Sequence, residues 1–143
     1  TATSMAMAAL LGDTLKGDAE YVFGSTQWEP AVKASGSPEF VAAFKAKYGY
    51  EPGYHGAGAF AAGQLLEQAV KKAGTIDNEK IRDALATMEA ATIYGQYKVD
   101  ATGAQAGKIL FLIQWQKGKR VLVWPDDAAE GKYIVPLPAW DKR

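Results

Sequence analysis

The alternation of apolar and polar positions divides the chain into a helical first part and a strand-like last part. Ser4 to about Leu15 reads as a helix, Glu20 to Gly24 as a short strand of β-formers closed by a glycine, and Ser25 to Gly36 as a loop holding Trp28 and Pro30. Ser37-Pro38-Glu39 has the chemistry of a helix start: a serine as N-cap, a proline at the first helical position and an acid facing the positive helix end. That helix should carry Phe40, Val41, Phe44 and Tyr48 on one face and stop at Gly49. A second helix is predicted from Tyr54 to Ala73, stopped by Gly74, and a third from the cap Asp77 to about Met88, with Ile81, Ala84, Leu85 and Met88 on its apolar face. The first half of the second helix, Gly56 to Gly63, is almost all small residues. Each glycine there costs about 1 kcal/mol of helix propensity relative to alanine, so the compensation expected is close approach to another backbone.

From Ile93 onward the period shortens toward strands. Tyr94 to Val99 is an extended segment and Asp100 to Gly103 a turn. Lys108 to Gln116 is apolar on both faces at first and alternates at its end, and Lys117-Gly118-Lys119 turns it into Arg120 to Trp124 as a hairpin. The Pro-rich tail from Pro125 to Arg143 carries little regular signal. Trp115, Trp124 and Trp140 are read as strand and tail packing, and Asp126-Asp127 as a cap for the Ala-Ala-Glu turn that follows.

Composition narrows the function classes. The 143 residues are 48% hydrophobic and 22% charged, the composition of a folded domain. Sixteen Lys and Arg balance sixteen Asp and Glu, six against seven up to Lys72 and ten against nine after it. No basic field exists to attract nucleic acid or anionic lipid. The absence of Cys removes disulfides and thiolate chemistry, and the lone histidine, His55, rules out a histidine pair for zinc. None of Ser4, Ser25, Ser35 or Ser37 lies in a nucleophile-elbow context that would use His55 in a triad. The apolar runs Met5 to Leu11 and Ile109 to Ile113 fall far short of the ~18 residues of a membrane span. Gly56-Ala-Gly58-Ala-Phe-Ala61 matches a dinucleotide fingerprint, but the polar, Gly- and Pro-containing stretch before it cannot be the buried strand that motif requires. No catalytic residue, metal or cofactor is expected.

The aromatic residues hold the remaining signal. Trp28 follows a strand end, where open α/β sheets place ligands, and Tyr54 with His55 opens a helix whose free amides favour anions. Such a cluster suits a small ligand with an apolar or aromatic body and a carboxylate. Packing of Trp28 on the sheet edge, and a surface role for His55, are the competing readings.

Six strings in a fixed order then point to a family. They are Glu20 to Pro30, Glu39 to Gly49, Tyr54 to Lys72, Ile81 to Leu85, Tyr94 to Asp100, and Ile113 to Gly118 ahead of Val123-Trp124-Pro125. Together they resemble the C-terminal part of periplasmic substrate-binding proteins of the leucine/isoleucine/valine type, the receptors of branched-chain or hydrophobic amino-acid and amide ABC transporters. The resemblance covers about Asp18 to Arg143. It implies an α/β type I periplasmic-binding-protein fold, two Rossmann-like lobes joined by three crossovers, of which this chain would be the C-terminal portion. Residues 1–24 would end the second lobe and form a crossover strand, 25–100 would complete the first lobe, and 101–143 would return to the second as crossover, hairpin and tail.

The resemblance also implies a non-enzymatic receptor, outside the cytoplasm, that closes by a hinge on an amino acid, an amide or an aromatic carboxylate and meets permease subunits. The site residues it implies are Ser25, Thr26, Gln27 and Trp28 in the loop after the crossover, and Tyr54 and His55 at the helix start. A missing N-terminal part of the same protein is the expected companion. The rival reading keeps the fold but makes it the ligand-sensing domain of a signalling receptor or regulator.

Overall fold

The computed structural model describes residues 12, 14–107 and 110–139. The predicted helix from Ser4 to Leu15 therefore lies mostly outside the described residues; Gly12, Thr14 and Leu15 are helical and lead into a 3-10 turn, Lys16–Ala19. Among the described residues the elements run β1 (Phe23–Thr26), α1 (Ser37–Tyr48), α2 (Tyr54–Ala73), α3 (Asn78–Thr87), β2 (Ala90–Thr92), β3 (Gly95–Tyr97), β4 (Phe111–Gln116) and β5 (Lys119–Trp124). They fall into two compact units, Thr1–Ala31 with Leu110–Arg143, and Val32–Ile109.

The first unit is an antiparallel sheet in the order β1-β4-β5. Its buried side chains include Trp28, Phe111, Ile113, Trp115, Leu122 and Val123. The β4–β5 hairpin turns on Lys117 (φ 54°) and Gly118 (φ 70°), the two left-handed residues a tight two-residue turn needs. Both turn amides donate to the Glu20 carboxylate, Lys117 N–H at 2.8 Å. This use of Glu20 explains why the strand begins later than its β-formers predict. Tyr21 adopts φ 66° and bends the chain, its N–H donating to the Trp115 carbonyl at 2.8 Å, and regular pairing starts at Phe23. Ser25 and Thr26, expected in the loop, are strand residues opposite Leu112 and Phe111.

The described part of the tail, residues 125–139, has no helix or strand, yet side chains order it. Gln114 is fully buried; its Oε1 accepts from Ile134 N–H at 2.8 Å, and its Nε2 donates to the carbonyls of Tyr21 and Ile134, each at 3.1 Å. Gln116 Nε2 donates to the Lys132 carbonyl at 2.9 Å. Amide side chains of the central strand β4 thus fix a tail segment that has no strand pairing of its own. Two tail expectations need correction. Asp126 and Asp127 are themselves the middle of a turn closed by the Ala128 amide donating to the Pro125 carbonyl at 3.0 Å, rather than a cap before the next one. Trp124 is 48% exposed rather than packed, because it sits at the outward-facing end of β5. Trp140 lies outside the described residues.

In the second unit, α2 has the bounds its sequence predicts and ends on Gly74 at φ 66°. Helix α1 ends as expected at Gly49 (φ 79°), but its start differs. Gly36, also at φ 79°, is the N-cap, and Ser37 is already helical; its side chain is fully buried and its Oγ has no hydrogen-bond partner among the described residues. The left-handed turn at Gly36 rotates Ser37 inward, away from the capping position. The cap of α3 is as predicted: Asp77 Oδ1 accepts from Lys80 N–H at 3.1 Å. Ala84 and Met88 pack with Ala69 of α2 and Ala90, flanked by Ile81, Leu85 and Tyr97. The extended segment predicted from Tyr94 is in fact the second arm of a small hairpin. Its first arm, β2, was hidden because Ala90 and Ala91 are poor β-formers; Ala90 and Thr92 are buried.

The glycines of the small-residue run of α2 face side chains or open space rather than the close backbone expected. A Cβ added at Gly56 would meet the Phe44 ring at 3.5 Å, and one at Gly58 the Tyr94 ring at 3.5 Å, both ordinary contacts with side chains. Tighter neighbours lie elsewhere: an added Cβ would fall 2.0 Å from the Trp115 ring at Gly12, 3.0 Å from Val121 at Gly131 and 3.1 Å from the Gln96 carbonyl oxygen at Gly107. Around Gly63 there is open space, and its conformation is helical. Gly63→Ala should therefore stabilise the chain by about 0.5–1 kcal/mol, read as a higher denaturant midpoint at unchanged m-value. A lower midpoint would mean that the space beside Gly63 is occupied.

Candidate functional site

Tyr54 and His55 are the first two residues of α2, after the buried Pro52 and the N-cap Gly53. Gly53 has no side chain to cap the helix, and the first intrahelical bond runs from Ala57 N–H to the Gly53 carbonyl at 3.1 Å. The amides of Tyr54, His55 and Gly56 have no acceptor within the helix, so this end favours an anionic group. The two rings lie 4.0 Å apart between centroids, their planes tilted by 33°. Tyr54 is half-buried and His55 exposed.

A third ring joins them that the sequence reading left inside a strand. Tyr94 sits in the β2–β3 turn, its ring over Gly58, one helical turn beyond Tyr54. Its phenol is pushed up to about 12, first by burial and then by the nearby Tyr54 phenol, whose charge would repel its own. It therefore stays a protonated hydroxyl throughout the neutral range. The signal available in the sequence was Tyr94-Gly95, an aromatic residue beside a turn glycine; what was missing was the first arm of the hairpin.

Ser25, Thr26, Gln27 and Trp28 belong to the first unit, and Tyr54, His55 and Tyr94 to the second. Thr26 Oγ1 donates to the Trp28 carbonyl at 2.9 Å and accepts from its N–H at 3.4 Å, a hydroxyl-closed turn that fixes the exit from β1. Trp28 is completely buried, whereas Ser25 and Gln27 are half-buried. Beyond it, Glu29 is buried beside Arg120 of β5, with an N–O distance of 3.4 Å. The exit from β1 is therefore held by a hydroxyl, a buried ring and an ion pair.

Among the described residues, no three His, Asp or Glu side chains stand together to hold a metal ion. No helix among them is long and apolar enough to cross a membrane.

The chain belongs to the periplasmic binding protein family, which it matches over residues 2–120. It is 31% identical over 128 residues to Leu/Ile/Val-binding protein homolog 7 of Brucella suis, across 83% of this chain and 31% of that protein. Its fold is similar to that of a leucine-binding protein from Thermotoga maritima, with a TM-score of 0.68 at 26% identity over 84% of this chain and 35% of that one. A solute-binding protein of an ABC transporter from R. palustris, solved with benzoate, gives a TM-score of 0.66 at 21% identity over 78% of this chain and 31% of that one. The fold is thus the α/β type I periplasmic-binding-protein fold, and the chain spans about a third of the length of the curated relatives it matches.

Proposed function

We propose that this chain is part of a non-enzymatic solute receptor of an ABC importer, working outside the cytoplasm. The complete protein would trap a small amino acid, or a related apolar or aromatic carboxylate or amide, between two lobes by hinge closure and present it to permease subunits. In this reading Thr1–Ala31 with Leu110–Arg143 belongs to one lobe and Val32–Ile109 to the other. Closure then depends on ligand contacts with both lobes, since a ligand shifts an equilibrium only by its differential affinity for the two states.

The observation that carries the reading is the Tyr54–His55 pair at an uncapped helix start, in a chain of this family. The rings supply an apolar wall and the free amides a preference for negative charge. Ser25, Thr26, Gln27 and Trp28 at the exit from β1 are proposed as further contacts in the complete protein, with Ser25 and Gln27 half-buried and the Thr26 hydroxyl closing the turn. The test is calorimetric titration of the complete protein with L-leucine, L-leucinamide and benzoate. Binding of at least one is expected, with Tyr54→Ala weakening it about tenfold or more, the loss of roughly 1.4 kcal/mol of ring contact. Failure of all three to bind would remove the receptor reading for these ligand classes. Unchanged affinity in Tyr54→Ala would remove the site.

A further inference from the structure

Within the second unit, α1 and α2 enclose an open groove of about 580 Å³ floored by a cluster of rings. Phe40 lies 5.7 Å from Phe44 and 4.8 Å from Phe60 between centroids, and Phe44 lies 4.5 Å from Tyr48. Phe60 and Tyr48 nevertheless stay about half exposed, so apolar surface is left facing water. One rim of the groove is a stripe of α1 at a spacing of four, Glu39, Ala43 and Lys47, all exposed. The other rim is the matching stripe of α2, Gly56, Phe60 and Gln64. Glu39 and Lys47 stand about 12 Å apart along the helix, with Ala43 midway between them. Neither charge has an ion pair among the described residues, whereas Lys45 on the same helix is paired with Glu51 at 3.4 Å. Lys47 Nζ rests 5.3 Å from the centre of the Tyr48 ring, which keeps the ammonium beside the groove.

We propose that this face pairs with a second copy of the same protein: two α1 helices lie antiparallel about a twofold axis at Ala43, so that Glu39 of each copy meets Lys47 of the other and the exposed faces of Phe60 and Tyr48 are covered. A twofold interface has to be self-complementary, because the same patch serves both subunits. The stripe has that property. Read in the opposite direction, acid, alanine and base become base, alanine and acid, so each charge meets its opposite. The alanine at the crossing lets the helix axes approach to about 8 Å, the close end of helix packing distances. A partner carrying one sign of charge would match one end of the stripe and be repelled by the other. Helix α1 is only about 18 Å long, so the dimer is a weak, reversible one. Every residue of this face belongs to the second unit, and the pairing does not depend on Tyr54 and His55 lining a solute site.

The test is sedimentation velocity of the complete protein over a concentration series reaching the high-micromolar range, in four forms: unaltered, Glu39→Lys, Lys47→Glu and the double variant carrying both. The unaltered protein should pass from monomer to dimer across the series. Each single reversal puts like charges at both ends of the interface and should raise the dimer dissociation constant about tenfold or more. An equimolar mixture of the two single variants should associate again, because the all-basic stripe of one then faces the all-acidic stripe of the other. The double variant only inverts the order of the charges and should dimerise like the unaltered protein. Both positions are exposed, so melting temperatures should stay close to that of the unaltered protein. Single reversals that associate as strongly as the unaltered protein, or a mixture that stays monomeric, overturn the pairing. A complete protein that is monomeric throughout overturns it as well, and leaves the groove to be covered by other segments of the same protein.

Discussion

Replacing Gln114 by leucine should lower the unfolding free energy by about 3–5 kcal/mol, although it puts an apolar residue of similar size into a fully buried position. The reason is what the amide satisfies. Its oxygen accepts from Ile134 N–H and from Gln116 Nε2, both at 2.8 Å, and its nitrogen donates to the carbonyls of Tyr21 and Ile134. Leucine would leave these groups without partners at the place where the tail meets β4. Each orphaned buried group costs about 1–3 kcal/mol, less where the tail can lift off and reach water. Denaturant unfolding should show the lower midpoint, and proteolysis after Lys132 should become faster because the Ile134 segment loses its anchor. A loss below about 1 kcal/mol with unchanged cleavage would mean that the tail stays docked by other contacts.

Trp28→Ala should cost about 3–5 kcal/mol of stability, the usual range for emptying the site of a fully buried large aromatic residue. The family resemblance implied this ring as a ligand contact, with packing on the sheet edge as the competing reading. The structure buries it completely behind the turn closed by Thr26, next to the Glu29–Arg120 pair. Denaturant unfolding of the variant decides between packing and contact. A stability loss below about 1 kcal/mol together with lost solute affinity in the complete protein would return Trp28 to ligand contact; a large stability loss assigns it to positioning Gln27 and Ser25.

The elements most legible in the sequence were those governed by local chemistry. Gly49 and Gly74 stop their helices because the terminal turn needs a left-handed residue, and Asp77 caps α3 because its carboxylate reaches an amide three residues on. Lys117-Gly118 forms the hairpin turn for the same kind of reason. Where local signals misled, a distant partner had taken over the residue. Glu20 looked like a strand residue but serves the hairpin turn, and Ser37 looked like a cap but is rotated inward by Gly36. The helix start at Tyr54 and His55, the proposed contacts, was legible because a helix start is a local feature, whereas the place of Tyr94 beside Gly58 was not, because it depends on two glutamines of α2 that hold the hairpin.

The sequence by itself determined that the chain is a neutral, Cys-free α/β segment, where its helices end, and which family its ordered strings resemble; each of these follows from residues close together or from their order. Only the tertiary structure decided that Gln114 orders the tail, that Trp28 is packed away, and that Tyr94 reaches the face of α2 carrying Tyr54. Those outcomes depend on hydrogen bonds and packing between residues far apart in the chain, and a local pattern of apolar and polar positions carries no record of which distant group will satisfy a buried amide or cover a glycine.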